Sequence, residues 1–276
     1  MRQTTLADLA ETFDLFLFDQ FGVLLDGSGV YPGAPAALAA LAARGKQVVI
    51  LSNSGKRSAP NEARLVAHGF ARDSFSAVIS SGEAAHAALA GRIGPEIAPG
   101  AAVLVLSRDG DLSAVEGLDL RITEDADAAE LLLIAGSRGE EIALRDYASL
   151  LDAPARRRVP CLCTNPDMTM LTNRGPAFGA GRIAALYQEL GGEVEFVGKP
   201  HPLIYQVAAA RLGHPDPAAV LCIGDSPAHD IRGGRAAGHS TALVRTGIHA
   251  DDPLGPLLAG LPDTDLPDYI IPGCTL

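Results

Sequence analysis

The sequence predicts an α/β fold in which a doubly wound parallel sheet is interrupted by a second α/β segment. Short apolar runs alternate with Ala-rich helical patterns almost throughout, the signature of parallel strands covered by helices. The chain has 276 residues and is 47% hydrophobic, enough to bury a full core in one large domain or two smaller ones. Two punctuated stretches, EIAPGA around Pro95 and LGGEVEF around Gly191, bracket a middle series of strands and helices and read as hinges.

Taken in order, residues 15–19 are an apolar strand ending on Asp19, and Gly22 turns the chain that follows. Residues 34–44 carry an apolar stripe at helical spacing, residues 47–52 form a strand, residues 58–68 a helix and residues 77–80 a strand. In the middle series, strands are expected at 102–106, 131–135 and 159–164, with helices at 140–151 and 181–190. A helix over 202–212 and strands over 220–224 and 241–245 resume the first pattern, and the Pro- and Asp-rich tail closes on a last strand in DYII. The expected organisation is therefore a core from 1–94 and 194–276, with an inserted α/β domain over 95–193.

Composition excludes several classes. The longest apolar runs, VLVL and LLLIA, fall far short of the roughly 20 residues that span a bilayer. The polar, acidic N-terminus lacks the apolar core of a secretory signal, so cytoplasmic residence is expected. A net charge of −11, with no basic run interleaved with aromatics, argues against nucleic-acid and anionic membrane partners. Four cysteines are too few for a disulfide scaffold, and Cys161 and Cys163 alternate so that both face one side, as packed, reduced thiols. Only Lys46, Lys56 and Lys199 are lysines among many arginines, which suggests that a retained lysine serves as a compact point charge.

Four stretches bear chemistry, and each ends an apolar strand or run. Asp19 is a carboxylate delivered into a loop, where α/β proteins place nucleophiles and metal ligands. In VVILSNSG, Ser52 and Asn53 offer a hydroxyl and an amide suited to phosphate oxygens, although alone the stretch is a turn and helix cap. In VGKPHP, Lys199 is held just ahead of a helix, where a fixed ammonium offsets charge on a phosphoryl group or a carboxylate. In VLCIGDSPAHDIRGGRAAG, Asp225 and Asp230 would repel one another and Asp19 unless a cation lies between them, and oxygen ligands point to Mg²⁺. The C-terminal edge of a parallel sheet gathers all four into one crevice.

These motifs, in this order, resemble the haloacid dehalogenase-like superfamily, over almost the whole chain. With YPGAPAAL, TNPD, GAGRIAAL and the unbroken GDSPAHDIRGGRAAG, the sequence is similar to the branch that contains 4-nitrophenyl phosphatases and pyridoxal phosphate phosphatase, subfamily IIA. The resemblance implies a Rossmann-like core, a large α/β cap, and a Mg²⁺-dependent hydrolase of small phosphorylated metabolites acting through an aspartyl-phosphate. It implies Asp19 as nucleophile, Ser52 and Lys199 holding the phosphoryl group, and Asp225 with Asp230 supporting the metal. Asn165 and Asp167 of TNPD are candidates to reach substrate from the cap, or simply a turn. Apolar cap surfaces in related proteins make a homodimer the candidate assembly.

The chain departs from the family pattern at Phe21, where a second Asp normally protonates the leaving oxygen and lends its backbone carbonyl to the metal. Phe21 keeps the carbonyl and loses the acid. Metal binding is therefore expected to survive, whereas general acid–base help, worth roughly 10²- to 10⁴-fold, is reduced. Asp26 is a candidate stand-in, with a turn in LLDGSG as its ordinary role. A weak or leaving-group-limited phosphatase is the main expectation; a non-catalytic phosphometabolite-binding protein and a hydrolase of another bond are the alternatives.

Overall fold

The computed structural model describes residues 1–172 and 175–276, which divide into two compact units. The core unit comprises Met1–Ser52, Ala59–Ile79 and Lys199–Leu276, and the inserted unit Asn53–Ser58 and Ser80–Gly198. The junctions thus lie elsewhere than the two expected hinges. The helix Ser81–Arg92 groups with the insertion, and Val194–Phe196 is no linker but a strand paired in parallel with Cys161–Cys163. Edge pairing had no signature in LGGEVEF, where adjacent glycines suggested only a bend.

The core unit is built on a seven-stranded sheet in the order Arg2–Gln3, Tyr269–Ile271, Ser240–Val244, Val220–Gly224, Leu15–Phe18, Gln47–Ser52, Ala77–Ser80. From Leu15–Phe18 the chain runs first to one side of the sheet and later to the other, so the strand order reverses between Leu15–Phe18 and Val220–Gly224. In open α/β sheets that reversal opens a crevice at the strands' carboxyl ends. Alternation decides the two faces: Phe16, Phe18, Val48, Ile50, Leu221 and Ile223 pack on one side with Leu38, Leu41 and Leu65. Leu15, Leu17, Val49, Leu51, Val220 and Cys222 pack on the other with Ile204, Tyr205 and Ala208.

The inserted unit carries a five-stranded parallel sheet in the order Val194–Phe196, Cys161–Cys163, Leu131–Ile134, Ala101–Leu106, Leu120–Ile122. Its long helix spans Leu144–Arg156, later than the expected 140–151, and runs through Pro154 near its end. Thr169–Thr172 and Gly175–Phe178 pair antiparallel. Cys161 and Cys163 are buried in one cluster and form no disulfide, and burial pushes the Cys163 thiol up to about 12. Among the described residues no helix is long and apolar enough to cross a membrane.

Candidate active site

Asp19 and Asp225 directly follow the two strands at the reversal, and the Asp19 N–H donates to the Ile223 carbonyl at 2.8 Å. A wide π-helical turn over Pro227–Ile231 then brings Asp230 back toward its own strand. Gly224 makes this return feasible, because a Cβ there would lie 2.0 Å from the Asp230 Cγ. Lys199, ahead of the helix Pro202–Arg211, places its Nζ 2.6 Å from Asp19 Oδ1 and 2.7 Å from Asp230 Oδ1. One carboxylate oxygen from each of Asp19, Asp225 and Asp230 lies within 4.8 Å of the others.

Two loops close around Asp225. Gly22, at φ +87°, and Gly247, at φ +70°, pass so near that Cβ atoms would stand 2.1 and 1.9 Å from Asp225 Oδ2. The Thr246 hydroxyl donates to the Gly22 carbonyl at 2.6 Å and ties the loops together. The Ile248 N–H donates to Asp225 Oδ2 at 2.9 Å, and the Gly247 N–H donates to the Tyr31 hydroxyl oxygen at 3.2 Å. Asp225 is therefore fixed by backbone on several sides.

The electrostatics are unbalanced. Burial pushes the Asp19 carboxyl up to about 7 despite the opposing Lys199 charge, with Asp230 adding to the rise. Burial, then Asp19 and Asp230, hold Asp225 well above the ordinary carboxylate range. Burial alone would lower the Lys199 ammonium, but Asp19 and Asp230 overcome it and keep it charged. Fully ionised, three carboxylates against one ammonium leave two uncompensated negative charges. An all-oxygen donor set with that deficit fits a hard dication such as Mg²⁺.

The haloacid dehalogenase-like hydrolase profile matches residues 16–121, and the HAD-hydrolase-like profile matches residues 196–272. Rat chronophin (Rattus norvegicus) is 31% identical over 98% of this chain and 89% of its own length. The chain belongs to the haloacid dehalogenase-like hydrolase family. Among solved structures of this fold, the p-nitrophenyl phosphatase of Archaeoglobus fulgidus is 27% identical, with a TM-score of 0.74 over 95% of this chain and 97% of that one. A glycerol phosphate phosphatase of Mycobacterium tuberculosis, solved in complex with magnesium, is 27% identical, with a TM-score of 0.76 over 99% of this chain and 78% of that one.

Within this family member, the other sequence candidates divide between the units. Ser52 is buried at the end of the strand beside Asp19, two residues beyond Ile50, the register partner of Phe18. Asn53 belongs to the inserted unit, where its Nδ2 donates to Asp167 Oδ1 at 3.0 Å. The Asp167 N–H donates to Asn165 Oδ1 at 2.9 Å, so the TNPD stretch is a side-chain-stabilised turn. Glycines of GAGRIAAL serve that turn: Cβ atoms at Gly179 and Gly181 would each lie 2.1 Å from the Asp167 and Pro166 carbonyl oxygens. Gly179 caps the helix Ala180–Glu189 and Gly181 lies in its first turn.

Asp26, the candidate stand-in for the acid that Phe21 lacks, is held in a turn. Its carboxylate accepts from the Ser28 N–H at 2.7 Å and the Ser28 hydroxyl at 2.6 Å, and these bonds hold its carboxyl below the usual range. It is an ionised turn residue. Phe21 is 46% exposed, with the Arg64 guanidinium 5.7 Å from its ring centroid. Sequence reasoning missed Gly22, Thr246, Gly247 and Ile248 as supports of Asp225. The one visible signal was a Thr-Gly pair after the strand Ser240–Val244, a turn chemistry common to many loops.

Proposed function

We propose that the protein is a Mg²⁺-dependent phosphatase of small phosphorylated metabolites in which Asp19 is the nucleophile. The observation that carries this reading is the Lys199 ammonium 2.6 Å from Asp19, inside a largely buried cluster of three carboxylates at the sheet's reversal point. Asp19, Asp225 and the backbone carbonyl of Phe21, with Asp230 in support, would hold Mg²⁺. Bound there, the dication neutralises charge on the phosphoryl oxygens and on the carboxylates.

A carboxylate oxygen of Asp19 attacks phosphorus in line, and the bond to the leaving oxygen breaks with its electron pair on that oxygen. Water then attacks the aspartyl-phosphate at phosphorus, releasing phosphate and restoring Asp19. Lys199 keeps Asp19 oriented and offsets charge during both steps, while Ser52 holds a phosphoryl oxygen. Phe21 cannot protonate the leaving oxygen, so esters of acidic alcohols are turned over best. Asn53, Asn165 and Asp167 are the further candidates for substrate selection.

The test is a panel of phosphate esters with and without Mg²⁺, run beside Asp19→Asn. We expect Mg²⁺-dependent release of phosphate that Asp19→Asn abolishes while its circular dichroism spectrum is unchanged. Full activity in Asp19→Asn would refute the nucleophile assignment. Measurable binding of phosphate esters with no turnover by the wild type would instead identify a binding protein.

A further inference from the structure

Gly22 is pinned by the Thr246 hydroxyl and by close approach to Asp225, and the Leu24 and Leu25 N–H groups both donate to the Gln20 carbonyl, at 3.0 and 3.2 Å. The Phe21 backbone between them is therefore part of a rigid loop, yet its ring is 46% exposed. On the second loop around Asp225, Ile248 is 55% exposed while its N–H is bonded to the Asp225 carboxylate. Two large apolar side chains are thus presented to solvent by the two loops that hold the carboxylate cluster. Nothing about folding calls for this, since an exposed ring forgoes burial.

Arg64, on the helix Ser58–Ala67, places its guanidinium 5.7 Å from the Phe21 ring centroid. Among the described residues it has no carboxylate partner, in a chain whose net charge is −11. A guanidinium over a ring keeps its in-plane N–H donors free for an anion. A rigid aromatic platform with a free cation beside it suits a flat ligand that carries negative charge.

Building on the phosphatase reading, we propose that Phe21 and Arg64 form a leaving-group subsite, with Ile248 as its second apolar wall. It selects phosphate esters of flat aromatic alcohols that bear a further anionic substituent. The aromatic body packs on Phe21 and Ile248, and the anionic substituent pairs with Arg64. The chemistry agrees with the recognition: an aryl alcohol departs as a stabilised oxyanion, so the residue two positions after the nucleophile serves binding where an acid would serve protonation.

The experiment separates recognition from leaving-group chemistry. Inhibition of 4-nitrophenyl phosphate hydrolysis by phenylphosphonate and by methylphosphonate, neither of which has a leaving oxygen, reads the aromatic platform. Phenylphosphonate is expected to bind roughly three- to tenfold more tightly, and Phe21→Ala to close that gap. The ratio of kcat/KM for 4-carboxyphenyl phosphate over phenyl phosphate reads Arg64, and Arg64→Met is expected to lower it roughly two- to fivefold. Equal inhibition of the wild type by the two phosphonates overturns the platform whatever the variants do, and an unmoved ratio in Arg64→Met overturns the anion contact. If no ester is hydrolysed but direct titration shows phenylphosphonate preferred, the phosphatase reading fails and the subsite stands. Turnover without aromatic preference refutes the subsite alone.

Discussion

Replacing Lys199 by Met tests the electrostatic core of the site. Met has nearly the length of the lysine stem, so packing changes little and the main effect is the loss of one buried positive charge. That charge lies 2.6 Å from Asp19 and 2.7 Å from Asp230, both largely shielded from water. Removing one partner from a buried ion pair costs about 3–5 kcal/mol, because the remaining charge is left uncompensated. At roughly 2–4 °C per kcal/mol for a unit of this size, the melting temperature should fall by about 6–20 °C at pH 8 with Mg²⁺ chelated. The sign with pH follows from Asp19, whose folded-state pKa of about 7 already lies above its ordinary value. A carboxyl raised in the folded state is penalised as pH rises through that value and relieved below it. The deficit of Lys199→Met should therefore shrink toward pH 5, where the carboxylates take up protons. Circular dichroism melts of both proteins across this range measure it, and coincident melts at pH 8 would refute the argument.

Three further outcomes are expected. Gly22→Ala adds left-handed strain of about 1–2 kcal/mol and a Cβ that would stand 2.1 Å from Asp225 Oδ2, so Mg²⁺ affinity by calorimetric titration should drop; unchanged affinity would count against Asp225 as a ligand. In the wild type, protons compete with the cation at the raised carboxyls of Asp19 and Asp225, so Mg²⁺ affinity should weaken as pH falls below about 7, and a flat profile from pH 8 to 5.5 would contradict this. Phe21→Asp restores a proton donor and should raise turnover of alkyl phosphates relative to 4-nitrophenyl phosphate by up to roughly 10²-fold, read from the ratio of their kcat values; a fall in that ratio would show that position 21 is not near the leaving oxygen.

The candidate residues that were legible in the sequence share one property: each sits where an apolar strand or run stops. Asp19, Ser52 and Asp225 follow or end buried strands, and in a parallel sheet strand ends of one kind share an edge. What was not legible depends on contacts between distant segments. The Asp26 turn and the Asn53–Asp167 bond are side-chain choices among several equally local options. The grouping of Ser81–Arg92 and Val194–Phe196 with the inserted unit was not legible for a related reason, since both have ordinary local patterns and are grouped by what they pack against.

By itself, then, the sequence determined the alternation of strand and helix, the order of the four motifs and the absence of an acid at Phe21. These are local properties of hydrophobic period and residue type. Only the tertiary structure decided that Lys199 bridges Asp19 and Asp230, that Gly22 and Gly247 press on Asp225, and that Phe21 meets Arg64. Each of these joins residues from separate strands, loops or helices. Their distances follow from strand register and sheet order, which no local pattern encodes.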